Sequence, residues 1–180
     1  MNKHLILFYA LLSSLGSFTS SFAQKFPDLD KSPHDISYHR GKDKQPLIKA
    51  IYGRPQKKER VIFGELEPYG KVWRTGANEA TEIKFYKDVT IGNKLVKAGT
   101  YSLFTIPDKD KWTVILNSEL DQWGAYSYNS EKDVLRTEVP VKASQTPVEA
   151  FTIVFKEDKT VSMILAWDKV VIELPITVQP

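Results

Sequence analysis

Seven consecutive residues, Trp73-Arg74-Thr75-Gly76-Ala77-Asn78-Glu79, hold most of the chemistry this chain offers. A guanidinium fork takes carboxylate or phosphate through two parallel hydrogen bonds, a task suited to Arg74. The Asn78 amide and the Glu79 carboxylate suit hydroxyls, and the Trp73 ring suits a sugar face. A structural arrangement stays open beside this one. Arg74 paired with Glu79 beneath Trp73, with Asn78 bonded to its own backbone, would also fix a long loop. A second group, Trp123, Tyr126 and Tyr128, offers flat amphipathic rings of the kind found in sugar sites and protein interfaces. It equally suits an aromatic plug at one end of a β domain.

Other residues carry weaker signals. Glu65 and Glu67 are two apart and share a face of an extended segment, but without a sign of burial they read as solvated loop charge. Arg54 and Arg60 are ligand clamps or salt-bridge members. His34 and His39 would point to opposite faces of a strand, which argues against joint metal ligation. Asp28, Asp30 and Asp35 lack the glycine and terminal glutamate of a calcium loop. No nucleophile elbow, phosphate-cradling glycine loop or H-E-x-x-H helix is present. Neither a catalytic residue nor a metal ligand is assigned, and no cofactor is expected.

These side chains need a scaffold, and the chain outside the two loops is written in period two. Ile48, Ala50 and Tyr52 share a face, as do Ile83 and Phe85, and Trp112, Val114 and Leu116. So do Phe151, Ile153 and Phe155; then Val161, Met163, Leu165 and Trp167; then Val170, Ile172, Leu174 and Ile176. Gly92-Asn93 marks a two-residue hairpin. Pro140 and Pro175 fall inside apparent strands, where they remove a ladder donor and imply edges or bulges. The expected fold is all-β: a two-sheet antiparallel β-sandwich, immunoglobulin-like or jelly-roll, of nine or ten strands. Residues 60–80 and 120–132 break the rhythm as two long loops. Loops of that length inside a compact domain are often functional.

The front of the chain has the layout of a secretory signal. Lys3 and His4 precede the apolar run Leu5 to Leu12, and Ser21-Phe22-Ala23 places small residues where a signal peptidase reads. The run is too short for a membrane-spanning helix, which needs about 20 residues, so no transmembrane anchor is expected after cleavage. The expected division is residues 1–23 signal peptide, 24–31 flexible lead-in and 32–180 a single domain, exported to the periplasm or beyond. The chain contains no cysteine, which excludes disulfides and thiol chemistry. Its 25 Lys and Arg against 22 Asp and Glu are interspersed, which makes nucleic acid a poor partner.

With the loops in view, a resemblance emerges. Tyr52-Gly53-Arg54-Pro55, Arg60-Val61-Ile62-Phe63-Gly64 and the run from Pro68-Tyr69-Gly70 through Trp73-Arg74-Thr75-Gly76-Ala77-Asn78-Glu79-Ala80-Thr81 resemble an exported bacterial family, domain of unknown function 2911. Ala98 to Pro107, Trp112 to Asn117 and Gln122-Trp123-Gly124-Ala125-Tyr126 extend the likeness over about Ser32 to Val178. The resemblance implies secretion and a β-rich single domain. It implies no activity.

The resulting expectation is a non-catalytic exported domain that binds a small polar ligand, an envelope glycan or a partner through the Tyr69–Thr81 loop. Trp73, Arg74, Asn78, Glu79, Trp123 and Tyr126 would form its surface. The alternatives are a hydrolase using Glu79 as acid or base, and a purely structural or interaction domain.

Overall fold

Alternating apolar residues become strands wherever one face can be buried, and a computed structural model of the chain carries this out over residues 24–180. The secretory-signal reading of residues 1–23 lies outside the described residues. The strands are β1 (His34–Arg40), β2 (Pro46–Gly53), β3 (Thr81–Phe85), β4 (Val89–Ile91), β5 (Lys94–Val96), β6 (Gly99–Ile106), β7 (Lys111–Asn117), β8 (Asp133–Glu157) and β9 (Val161–Val178). They form one open antiparallel sheet in the order β1-β2-β3-β6-β7-β8-β9-β4-β5. The all-β expectation and the strand number hold, as does the hairpin at Gly92-Asn93, where Ile91 pairs Lys94.

The pairing does not divide into two separate sheets. The reason is the length of β8 and β9. Strand β8 pairs β7 through Pro140 and β9 from Val141 onward. Strand β9 in turn leaves β8 after Ile172 and meets β4 at Thr177. Pro140 and Pro175 stand where their strands change partner, so the missing N–H interrupts no ladder there. The far half of β8 lies over β2: the Tyr52 and Phe151 rings meet edge to face at 5.7 Å, and the Tyr52 hydroxyl donates to Ile153 O. The one sheet thus folds back over its own apolar face.

Burial follows the sequence period closely. Ile48, Ala50, Ile83, Val114, Leu116, Met163 and Ile172 are fully buried. In β9 the buried face changes parity after Trp167, and Asp168 there takes a left-handed φ of 51°. Opposite it, β8 slips register on both sides of Val148. The two strands expected on either side of this point are one strand with a bulge, which turns its second half over onto the core.

A second, smaller core occupies the opposite face of β6 and β7. Ala80, Phe104 and Ile115 are buried there, with Val72, Ile106, Ala125 and Tyr128 packed against them. The covering layer consists of the two long segments that broke the strand rhythm, and it holds the candidate site.

Candidate functional site

The first segment returns to the sheet at Trp73, whose backbone exchanges hydrogen bonds with Thr105 of β6 (2.7 and 3.0 Å). That crossing turns the Trp73 ring inward. It stacks on Trp167 at 5.8 Å, meets Phe151 at 5.0 Å, and donates from Nε1 to Gly76 O. Truncating a ring packed in this way costs about 3–5 kcal/mol. Trp73 belongs to the core, and its ring is not free to stack on a ligand.

The residues after Arg74 are fixed one by one. Thr75 is fully buried in a left-handed conformation (φ 57°), a costly place for a β-branched side chain. Its hydroxyl bonds Thr105 Oγ1, and its carbonyl accepts from the Thr81 hydroxyl at 2.6 Å. Gly76 and Ala77 press on Gly53 of β2. A Cβ on Gly53 would stand 2.0 Å from the Ala77 carbonyl oxygen. Asn78 adopts φ 63°, which Asn tolerates better than most residues. Its amide donates to Asp30 Oδ1 and Ser32 O, and its carbonyl accepts from Gly124 N.

The second segment zips onto the first. Ala80 N donates to Gln122 O at 2.8 Å, Gly124 N to Asn78 O at 3.0 Å, and Glu79 forms a bridge with Trp123. Farther on, the Tyr128 hydroxyl donates to Asp133 at 2.6 Å and accepts from Arg136. Burial and the Asp133 carboxylate push that phenol up to about 12. Phe104 meets the Tyr128 ring at 5.0 Å. Tyr128 therefore anchors the segment, while Tyr126 stays 84% exposed.

Between the two segments lies a hollow of about 380 Å³, with Trp73 beneath it and walls of Leu66, Glu67, Val72, Arg74, Ala125 and Tyr126. The Arg74 Nε is buried and has no hydrogen-bond partner. Its Nη1 lies beside Gly124, as does the Tyr126 ring: a Cβ on Gly124, which has φ 70°, would meet that ring at 2.8 Å and Nη1 at 3.0 Å. Glu67 shares the hollow. Burial raises its carboxyl to about 7, although Arg74 and, less strongly, Arg60 pull it down. Arg74 acts on Glu67 through space without a hydrogen bond between them. A cation and a protonatable acid, held apart on apolar walls under an exposed ring, can grip a polar molecule from two sides.

The other expected residues fall elsewhere. Glu79 faces a separate hollow of about 280 Å³, where His34 Nε2 stands 3.1 Å from its Oε2, with Glu82 and Asp121 nearby. The Arg74–Glu79 pair of the structural alternative does not form: Glu79 pairs with His34 in the other hollow. Asn78 spends its amide on the lead-in segment. Trp123 is 61% exposed and lines neither hollow. Arg54 is engaged throughout: Nε to Phe151 O, Nη1 to Asp35 Oδ2 and Nη2 to Thr152 Oγ1. Arg60 bonds carbonyls of its own loop, Lys57 O and Gln56 O. Glu67 and Gly124 escaped the sequence reading. The signal for Glu67 was the pair with Glu65, which was set aside because burial is not visible in a loop sequence. Among the described residues no group of three or more His, Asp and Glu is placed to hold a metal ion, and no helix is long and apolar enough to cross a membrane.

No curated protein and no solved structure matches the chain. A family does: residues 32–176 match the one described as protein of unknown function (DUF2911). That span includes all nine strands but the last two residues of β9, together with both segments around the hollow, and the chain belongs to this family.

Proposed function

We propose that this protein is a non-catalytic binding domain for a small polar ligand, held in the hollow between Arg74, Glu67 and Tyr126. One observation carries the reading. In the run from Trp73 to Thr81, packing, a hydrogen bond or backbone geometry accounts for Trp73, Thr75, Gly76, Ala77, Asn78, Ala80 and Thr81. Glu79 pairs with His34. Arg74 alone is left with a buried, unpartnered Nε beside a hollow. Burying such a donor unpaired costs about 1–3 kcal/mol, more for a charged group, and a bound acceptor would recover that cost. The strained Thr75 and Asn78 hold the backbone that follows it, as expected where a side chain must be pre-positioned.

A fragment of envelope glycan fits the wall chemistry, with the Tyr126 ring as a stacking surface and Glu67 as a hydroxyl partner. The signal-peptide layout of the first 23 residues supports placing the domain outside the inner membrane, in the periplasm or beyond. The folded-over sheet then serves as an immunoglobulin-like or jelly-roll scaffold with the site on its outer layer. Thermal-shift screening of residues 24–180 against envelope glycan fragments and small anions tests this reading. Stabilisation by a ligand that is lost in both Arg74→Ala and Tyr126→Ala is expected; stabilisation that survives both removes the site from this hollow.

A second reading rests on Glu67. A carboxyl raised to about 7 is poised for general acid or base work near neutral pH, so Glu67 replaces Glu79 as the residue for a hydrolase. Turnover of glycosides or esters that disappears in Glu67→Gln would favour this reading over simple binding.

A further inference from the structure

We infer that the hollow takes its ligand as an anion together with a proton: the ligand class is a sugar-sized acid, its carboxylate or phosphate on Arg74 and its body against Tyr126, with Glu67 in the neutral acid form donating to it. This rests on the binding reading of the same hollow and goes beyond it by fixing the charge of the ligand and the protonation state of its partner.

The geometry sets the charge. Arg74 supplies one buried N–H with nothing to bond, and its Nη1 lies close against Gly124, which also carries the Tyr126 ring close by. That placement lets the fork receive an oxyanion from the hollow. Leu66, Val72 and Ala125 supply apolar walls, so the anion has few other donors. Glu67 is a second polar group in the wall, and it is not consumed by an ion pair with Arg74. Were Glu67 ionised, the hollow would already be neutral and an incoming anion would face a carboxylate. With Glu67 protonated, the hollow carries one net positive charge and one O–H donor beside it, and an anion meets both. The groups acting on Glu67 are Arg74 and, from its own segment, Arg60; from the opposite segment the only titratable side chain in the wall is Tyr126. The Glu67 carboxyl near 7 puts the change where a modest shift in pH moves it.

The consequence is a linkage. If only the protonated form binds, the competent fraction falls from about nine-tenths at pH 6 to about one-tenth at pH 8, and affinity falls about tenfold. Each binding event near pH 7 takes up roughly half a proton.

Calorimetric titration of residues 24–180 with glucuronate, inorganic phosphate and neutral methyl glucoside tests this, at pH 6 and pH 8 and in two buffers of different ionisation heat. The expected result is binding of glucuronate that weakens about tenfold at pH 8 with proton uptake at pH 7, while methyl glucoside binds more weakly. Phosphate changes its own charge between these pH values and is compared with glucuronate at pH 6 alone, where the preference identifies the carboxylate or phosphate source. In Glu67→Gln the binding of glucuronate at pH 8 should equal that of the wild type at pH 6 and lose its pH dependence. Methyl glucoside binding as tightly as the acids, or glucuronate bound with no pH dependence and no proton uptake, overturns the inference and leaves the binding reading standing. No binding of any of the three, at either pH, overturns both.

Discussion

Arg54 and Arg74 lie on either side of one backbone contact, the approach of Gly53 to Ala77, and they show opposite solutions for a guanidinium. Arg54 closes β1 and β2 against β8, with Nε and both terminal nitrogens each donating to a named acceptor. Arg74 leaves its Nε unpartnered and turns to a hollow. Both are half-buried, both follow a buried neighbour, and both looked equally ambiguous in the chain. What separates them is hydrogen-bond satisfaction. A fully paired arginine holds the fold, whereas one kept short of partners by a rigid loop is available to something else.

The largest effect should come from breaking the contact that both regions share. In Gly53→Ala the new Cβ meets backbone, not a movable side-chain end, so either β2 or the 73–81 run must shift. Overpacking of this kind costs about 3 kcal/mol or more, a fall in melting temperature of about 9 °C. Ligand binding should fail together with stability. A melting curve unchanged by the substitution would show that the two regions are not braced against each other.

The next effect distinguishes the Arg74 side by pH. Glu67 has a folded-state pKa near 7, above its ordinary 4.5. The fold therefore holds this proton more tightly than the unfolded chain does. The stability this contributes is fully present below about pH 4.5 and is lost as pH rises towards 7, after which it changes no further. The loss is roughly 3 kcal/mol. Glu67→Gln removes it, so the variant should be more stable than the wild type at pH 8 and equal to it near pH 4.5. Parallel melting curves across that range check the difference, and a constant gap at every pH would mean that Glu67 is not buried against ionisation.

Much of the scaffold was readable because strand burial is a local, period-two property. Ile48, Ala50 and Tyr52, or Met163, Leu165 and Trp167, declare their inner face by spacing alone. The continuity of the sheet was not readable, since it depends on β8 changing partners at Pro140, and a proline in a strand announces a missing donor without naming the neighbour. Trp73 was misplaced for a related reason. Its burial follows from a single crossing to Thr105, which the local sequence does not encode. Arg74 could be picked out by residue type, but its partner could not. Glu79 is near in sequence and is turned away by Thr75 and Asn78, while Glu67 lies farther back and is buried only when the second long segment closes over it.

Arg54→Ala has a smaller effect than either change above and should touch only one side of the comparison. Its ion pair with Asp35 is about two-fifths exposed on both partners and contributes little. The cost lies in the Phe151 carbonyl and the Thr152 hydroxyl left without their donor, about 2 kcal/mol together and about 6 °C in melting temperature. Binding at the hollow should persist at temperatures where the variant is folded. If binding is lost as well, the separation between a structural and a ligand-facing arginine fails.

Arg74→Ala should have the smallest effect on stability and decides the comparison most sharply. At pH 6, where Glu67 is largely neutral, removing the guanidinium deletes an unpaired buried donor along with the packing of its stem. The first change favours the fold and the second disfavours it. The two nearly cancel, and the net change should stay under about 1 kcal/mol, about 3 °C or less. At pH 8 the same substitution leaves the Glu67 carboxylate without its main cation, so the variant should lose more stability there than at pH 6. A structural Arg74, bonded within the fold like Arg54, would instead cost a similar amount at both pH values. The difference between the two melting temperatures, more than either one alone, reports whether Arg74 faces the acid across a hollow.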